Sequence, residues 1–166
     1  TNPQALLDLL EVSRAQMGLD YLVLRSVEAG QELAPEFYVF EAAIRDGDAE
    51  EVTLFSPFDL AEISPQLAEH AVIPLIETEA AIATDRSVED RGIVILSATH
   101  VVVQNEDFVL IGGTLLNQNL NFIDTINDLV YLSGDDETLR TGTATLFLED
   151  VRVSTNVRLF ENVRAL

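Results

Sequence analysis

Cysteine is absent from the chain, which excludes disulfide staples and thiolate metal sites and leaves the redox compartment open. Lysine is absent too: all nine basic residues are arginines, set against 29 acidic ones, for a net charge of −20. A chain so short of cations lacks the clustered Lys/Arg that phosphate contacts need, so nucleic acid is excluded as a partner and anionic lipid is disfavoured. The acidity reads either as a self-repelling, solubilising surface or as a field that attracts cationic ligands. Long apolar runs are also missing. The two longest, Gly92–Val103 and Phe108–Leu116, are too short and interrupted to span a bilayer. No signal peptide opens the chain; Thr1-Asn2-Pro3 reads as a trimmed start.

What is present is ample core material. Almost half of the 166 residues are apolar, enough for one domain or one domain and a fragment of another. Asn2-Pro3 reads as a helix cap with proline at the first helical position. Leu6, Leu9, Leu10 and Met17 recur at helical spacing, and Gly18 is placed to end the helix. Leu19–Ser26 and Glu51–Phe55 read as strands, and Phe37–Arg45 as a short helix closed by an acidic turn. In Asp59–Ile76, Pro65 and Pro74 interrupt a helical pattern, which predicts two short helices or a helix and a loop. Glu77–Asp90 reads as exposed. Gly92–Val103 and Phe108–Thr114 form the centre of a sheet, joined through the polar turn Gln104–Asp107. Asn117–Leu132 is an amphipathic helix whose Phe122, Ile123, Ile126, Leu129 and Val130 share one face, with Asn119 as its cap. A last hairpin pairs Thr143–Leu148 with Val151–Val157. This order predicts an α+β layer fold with helices on an antiparallel sheet.

The chemistry of common active sites is missing. There is no nucleophile elbow, phosphate loop or dinucleotide fingerprint. His70 and His100 lack metal-ligand spacing; His100, inside an apolar strand, is either satisfied within the core or handles a ligand or proton. The acidic clusters Asp46–Glu51 and Asp135–Glu137 lack calcium-loop spacing and read as solvated loops. No catalytic residue, metal site or cofactor is assigned. Arg152, between Val151 and Val153, faces water or meets an anion, and Arg91, opening the long strand beside Asp90, reads as a surface ion-pairing residue or a ligand-site residue. Asn117 and Asn156 each follow a strand run, where asparagine makes a turn, caps a helix or binds ligand. Gly112-Gly113 reads as a close backbone approach or a bulge. Tyr21, Tyr38 and His100 complete the candidate pocket lining.

Two stretches carry a family resemblance. Arg91–Asn117, RGIVILSATHVVVQNEDFVLIGGTLLN, resembles the segment of bacterial Cache-type sensor domains that opens on Arg-Gly and closes on Gly-Gly-x-Leu-Leu-Asn. Gly142–Leu166 resembles the Gly-Thr-Ala-Thr, Thr-Asn-Val and Arg-Ala-Leu signature of the double Cache group. Phe122–Tyr131 and Leu19–Leu24 are similar to its Asp-containing helix and early strand. Glu161-Asn162 departs from the usual Asp-Gly turn, and the family pattern continues past Leu166 with further strands. The resemblance implies a PAS-like (Cache) fold with a long N-terminal helix and a central antiparallel sheet flanked by helices. It divides the chain into an N-terminal helix (1–18), a sensing domain (19–132) and a final hairpin (133–166) that begins a truncated second module. It further implies an extracytoplasmic, periplasmic or cell-surface, ligand-sensing domain of an inner-membrane sensor histidine kinase or chemoreceptor. Such a domain is non-catalytic, binds an unidentified small molecule, and belongs to a membrane-anchored homodimeric parent. The alternatives from the residues alone are a ligand-free interaction module and an acid–base enzyme using two of the carboxylates.

Overall fold

A computed structural model describes residues 2–26, 51–59, 64–76, 83–131, 142–160 and 163–164. The architecture is α+β. Helix α1 (Pro3–Met17) leads into β1 (Tyr21–Ser26); β2 (Glu51–Asp59), α2 (Pro65–Ala71), β3 (Ile73–Pro74) and β4 (Val88–Glu89) follow. Then come β5 (Arg91–Val103), β6 (Glu106–Leu115), α3 (Leu120–Tyr131), β7 (Thr145–Leu148), β8 (Val151–Thr155), β9 (Arg158–Phe160) and β10 (Val163–Arg164). The expected helix at 37–45, both acidic clusters apart from Glu51, and the loop at 133–140 lie outside the described residues.

The local signals act as the sequence predicts. Asn2 Oδ1 accepts from the Gln4 amide at 3.1 Å, and Gly18 closes α1 in the left-handed conformation at φ 66°. Pro65 opens α2 at the helix start, where its missing N–H costs no hydrogen bond, so the proline sets a boundary and does not break a helix. Asn119 Oδ1 caps α3 through the Phe122 amide at 3.0 Å.

The main sheet is antiparallel in the order β1-β6-β5-β2. Its centre is the β5–β6 hairpin, where Val103 pairs with Glu106 across Gln104 and Asn105, both at positive φ. Two positive-φ residues match the right-handed twist of the flanking strands. Strand alternation gives the sheet two faces. Tyr21, Val94, Leu96, Ala98, Val109, Ile111 and Leu115 form one buried cluster with Leu67 and Ala71 of α2. Burying a residue such as Leu96 contributes about 2–3 kcal/mol. Ile93 points to the other face and builds a second cluster with Ile73, Leu116, Leu148, Val151 and Val153, packed by half-buried Ile95 and Phe122. The β7–β8 hairpin and the start of α3 therefore cover the Arg91 end of the sheet, opposite α2.

Three expectations need correction. Of the apolar residues in α3 only Ile123 is buried, while Ile126, Leu129 and Val130 are exposed. The helix is anchored by its first turns, where the Ser154 hydroxyl donates to the Asn119 carbonyl, and its last turn runs past that anchor. Gly112 and Gly113 mark neither a bulge nor a backbone approach. The register is continuous, and a Cβ at 113 would stand 2.7 Å from Leu96 Cδ2, so the missing side chain is core volume. Glu77–Asp90 is not uniformly exposed, because Glu89 is fully buried.

Candidate functional site

The polar residues singled out in the sequence fall on separate junctions. At the first, Glu89 and Arg91 sit two apart on an extended chain and so turn the same way. Arg91 Nε and Nη2 each donate to the Glu89 carboxylate at 2.9 Å, the Arg91 amide donates at 3.1 Å, and Arg86 Nη1 adds a bond of 3.1 Å. Arg91 Nη1 also donates to Glu149 at 3.1 Å, across the β7–β8 turn. Hydrogen bonds from Arg91 hold the Glu89 carboxyl well below the usual carboxylate range, at about 2, against the opposing effect of burial. The same partner lowers Glu149, while Arg91 is raised, chiefly by its bonds to Glu89. A carboxylate so paired stays ionised, the reverse of what a general acid needs.

Beside it lies Asn117, buried at the end of β6. Its Oδ1 accepts from the Ile93 amide at 3.0 Å, and its Nδ2 donates to the carbonyls of Ala71 at 3.0 Å and Arg91 at 3.1 Å. The partners fix the amide orientation, since only the oxygen can accept from an N–H. Asn117 lies in the turn over 116–119, as expected, and its side chain is a junction between α2, β5 and β6. Neighbouring backbone bonds from Leu116 to Ile93 and from Gln118 to Val153 extend the junction to β8.

Asn156 forms the third junction. Its Oδ1 accepts from the Ala144 amide at 2.9 Å, its own amide donates to the Ala144 carbonyl at 3.1 Å, and its Nδ2 donates to Gly142 at 3.4 Å. Thr155 and Thr145 share a hydroxyl bond of 2.7 Å. The Gly142–Thr145 and Thr155–Val157 stretches, separate in the sequence pattern, are therefore two sides of one zipper. Gly142 approaches the Tyr131 ring so closely that any side chain there would overlap it.

The remaining candidates stand apart. Tyr21 is part of the α2-side core. His100 continues the face of Leu96 and Ala98 but is exposed, because the cover over β5 ends at Ala98; its Nε2 meets the Asp107 carboxylate at 2.9 Å. It is therefore satisfied by a surface carboxylate and not within the core. Arg152 stacks over Phe147, its guanidinium carbon 5.8 Å from the ring centroid. Tyr38 lies outside the described residues.

Sequence reasoning missed two features. One is buried Glu89, whose signal was the Glu-x-Arg spacing at 89–91 entering a strand. The other is an open groove of about 470 Å³ between α1 and β1, lined by Gln4, Leu7, Asp8, Leu10, Glu11 and Leu22 to Leu24. None of the singled-out residues is among those lining residues. Among the described residues, no group of His, Asp or Glu is arranged to hold a metal, and no helix is long and apolar enough to cross a membrane. Comparisons with protein-family models, curated proteins and solved structures find no match to the chain.

Proposed function

We propose that this chain is the extracytoplasmic ligand-sensing domain of a membrane-anchored sensor histidine kinase or chemoreceptor, of PAS-like Cache type. The observation that carries the reading is where the motif residues fall. Arg91 and Asn117 supply the bonds that tie β5 to the β7–β8 turn, the end of β6 and α2, and Gly142–Thr145 and Thr155–Val157 close the hairpin on itself. In a sensor, occupancy is passed on by a two-state element that ligand biases, and a sheet tied to a terminal hairpin has the connectivity for it. The chain itself makes or breaks no bond in this role.

The encoding gene tests the proposal. Its reading frame should specify a membrane-spanning helix on each side of this domain and a kinase or methyl-accepting domain downstream; a frame for a soluble protein alone overturns it. A thermal-melt panel of carboxylates, amino acids and amines should contain a compound that raises Tm by mass action.

A second reading, an interaction module without a small-molecule ligand, is favoured by the packing. Val94, Leu96, Ile111, Leu116 and Val153 are almost wholly buried within the two clusters, and none of the clusters' buried residues lines the groove. A melting temperature unmoved by every compound in the panel supports this second reading.

A further inference from the structure

The end of β6 and the turn behind it bond in succession to separate parts of the fold. Asp20 holds the end of β6 twice: its amide donates to the Gly113 carbonyl at 3.0 Å, and its Oδ2 accepts from the Leu115 amide at 2.8 Å. The residue before it is fastened to the last turn of α1. Across Gly18 the Leu19 amide donates to the Arg14 carbonyl at 3.0 Å, and Arg14 Nη1 donates to the Leu19 carbonyl at 2.8 Å. Beyond Leu115, the Leu116 amide bonds to β5, the Asn117 side chain to α2 and β5, and the Gln118 amide to the Val153 carbonyl of β8 at 2.7 Å.

Three bonds of this turn run in series. The Asp20 carboxylate takes the Leu115 amide, the Leu115 carbonyl takes Asn119 Nδ2 at 3.0 Å, and the Asn119 carbonyl takes the Ser154 hydroxyl at 3.2 Å. Asn119 Oδ1 meanwhile caps α3, so one side chain is fixed at both of its polar atoms. The turn itself has little room to adapt. Leu115, Leu116 and Asn117 are buried, and Gln118 is held at φ 56°, a left-handed conformation that a non-glycine residue keeps only where its surroundings fix it. A bond altered at one end is therefore taken up by the bonds further along, which polarise and position one another.

We infer that Leu115–Asn119 is a coupling turn, through which the α1–β1 corner at Gly18–Asp20 and the β8–α3 contact at Ser154 and Asn119 bias each other's opening. Coupling of this kind is reciprocal, so a bond lost at either end loosens the other. The inference does not rest on the sensor reading, which the reading frame tests separately.

The test is native-state amide exchange of the ¹⁵N-labelled chain with one end of the series cut at a time. Asp20→Ala should speed exchange at the Gln118, Asn119 and Phe122 amides by about threefold to tenfold, the loss expected for one hydrogen bond. Ser154→Ala should do the same at the Asp20 and Leu115 amides. Asp20→Asn keeps an acceptor for Leu115 and should restore near wild-type rates. The amides of Val101–Val103, at the far end of β5, should be unchanged in all three chains. Exchange that changes only at the mutated end overturns the inference, as does an equal rise over the whole chain, which reports lost global stability alone. An Asp20→Asn chain that behaves like Asp20→Ala also overturns it. Asp20 is an exposed residue, so the Asp20 variants decide the question even where Ser154→Ala does not fold.

Discussion

Glu89 and Arg91 are joined by three hydrogen bonds, two from the guanidinium and one from the Arg91 amide, although only one residue separates them. The carboxylate is fully buried while both arginines that reach it, Arg91 and Arg86, stay partly in water. Glu89→Gln keeps the shape and removes the charge. It should cost about 2–3 kcal/mol at pH 7, less than the loss of a fully buried pair because the arginines can resolvate. Urea unfolding of the two chains measures it.

The pH dependence follows from the same pair. Glu89 is held at about 2 in the fold, below the value near 4.5 that an unpaired glutamate has. Its stabilisation is therefore fully present above about pH 4.5 and is lost as pH falls from there toward 2. The gap in stability between the wild-type chain and Glu89→Gln should accordingly narrow below pH 4.5. A gap that stays constant down to pH 3 would contradict the assignment.

Asn117→Ala should be among the most damaging polar substitutions, at roughly 2–4 kcal/mol, since it strands the buried Ile93 amide and two carbonyls. Asn117→Asp is the sharper probe. It retains an acceptor for Ile93 but sets a carboxylate against the Ala71 and Arg91 carbonyls, so it should not rescue stability at neutral pH. Thermal melts of the two variants decide this.

The paired glycines should respond differently. Gly113→Ala places a methyl group against Leu96 in a filled core and should cost about 1–3 kcal/mol. At 112 the nearest atom is Leu19 Cδ1, 3.1 Å from the added carbon and on a half-buried side chain, so Gly112→Ala should stay within about 1 kcal/mol of wild type. Parallel chemical denaturation of both chains makes the comparison.

The β5–β6 turn holds Gln104 at φ 52° and Asn105 at φ 69°. Converting the dipeptide to Asn-Gly relieves the left-handed strain at Gln104 and should stabilise the chain by about 0.5–1 kcal/mol. An unchanged or lower melting temperature would mean that the Gln104 side chain contributes something the backbone conformation does not explain.

What was legible in the sequence was what is decided locally. The caps at Asn2, Gly18 and Asn119, and the hairpin that turns at Gln104-Asn105, depend on residues a few positions apart. The placement of β1 beside β6 was not legible, because nothing in Leu19–Ser26 specifies which strand it meets. The role of Asn117 was hidden for the same reason: its partner carbonyl at Ala71 lies 46 residues away. Glu89 was misread because its neighbours at 85–90 are exposed, and only the guanidiniums brought back by Arg86 and Arg91 make its burial tolerable. Of the candidate pocket residues, the sequence identified polar groups that are unusual in their settings. Their distribution over separate junctions could be found only in the fold.

The register of the main sheet also sets an order of events. The β5–β6 hairpin closes on a two-residue loop, so its ladder can form on a microsecond scale from neighbouring chain alone. β1 must instead find β6 from far off: the Asp20 carboxylate that receives the Leu115 amide lies 95 residues from it. Long-range closure of this kind adds entropy cost before its contacts form. Amide exchange in the native protein should therefore be slowest in β5 and β6 and faster in β1, which would be the last strand to join and the first to leave.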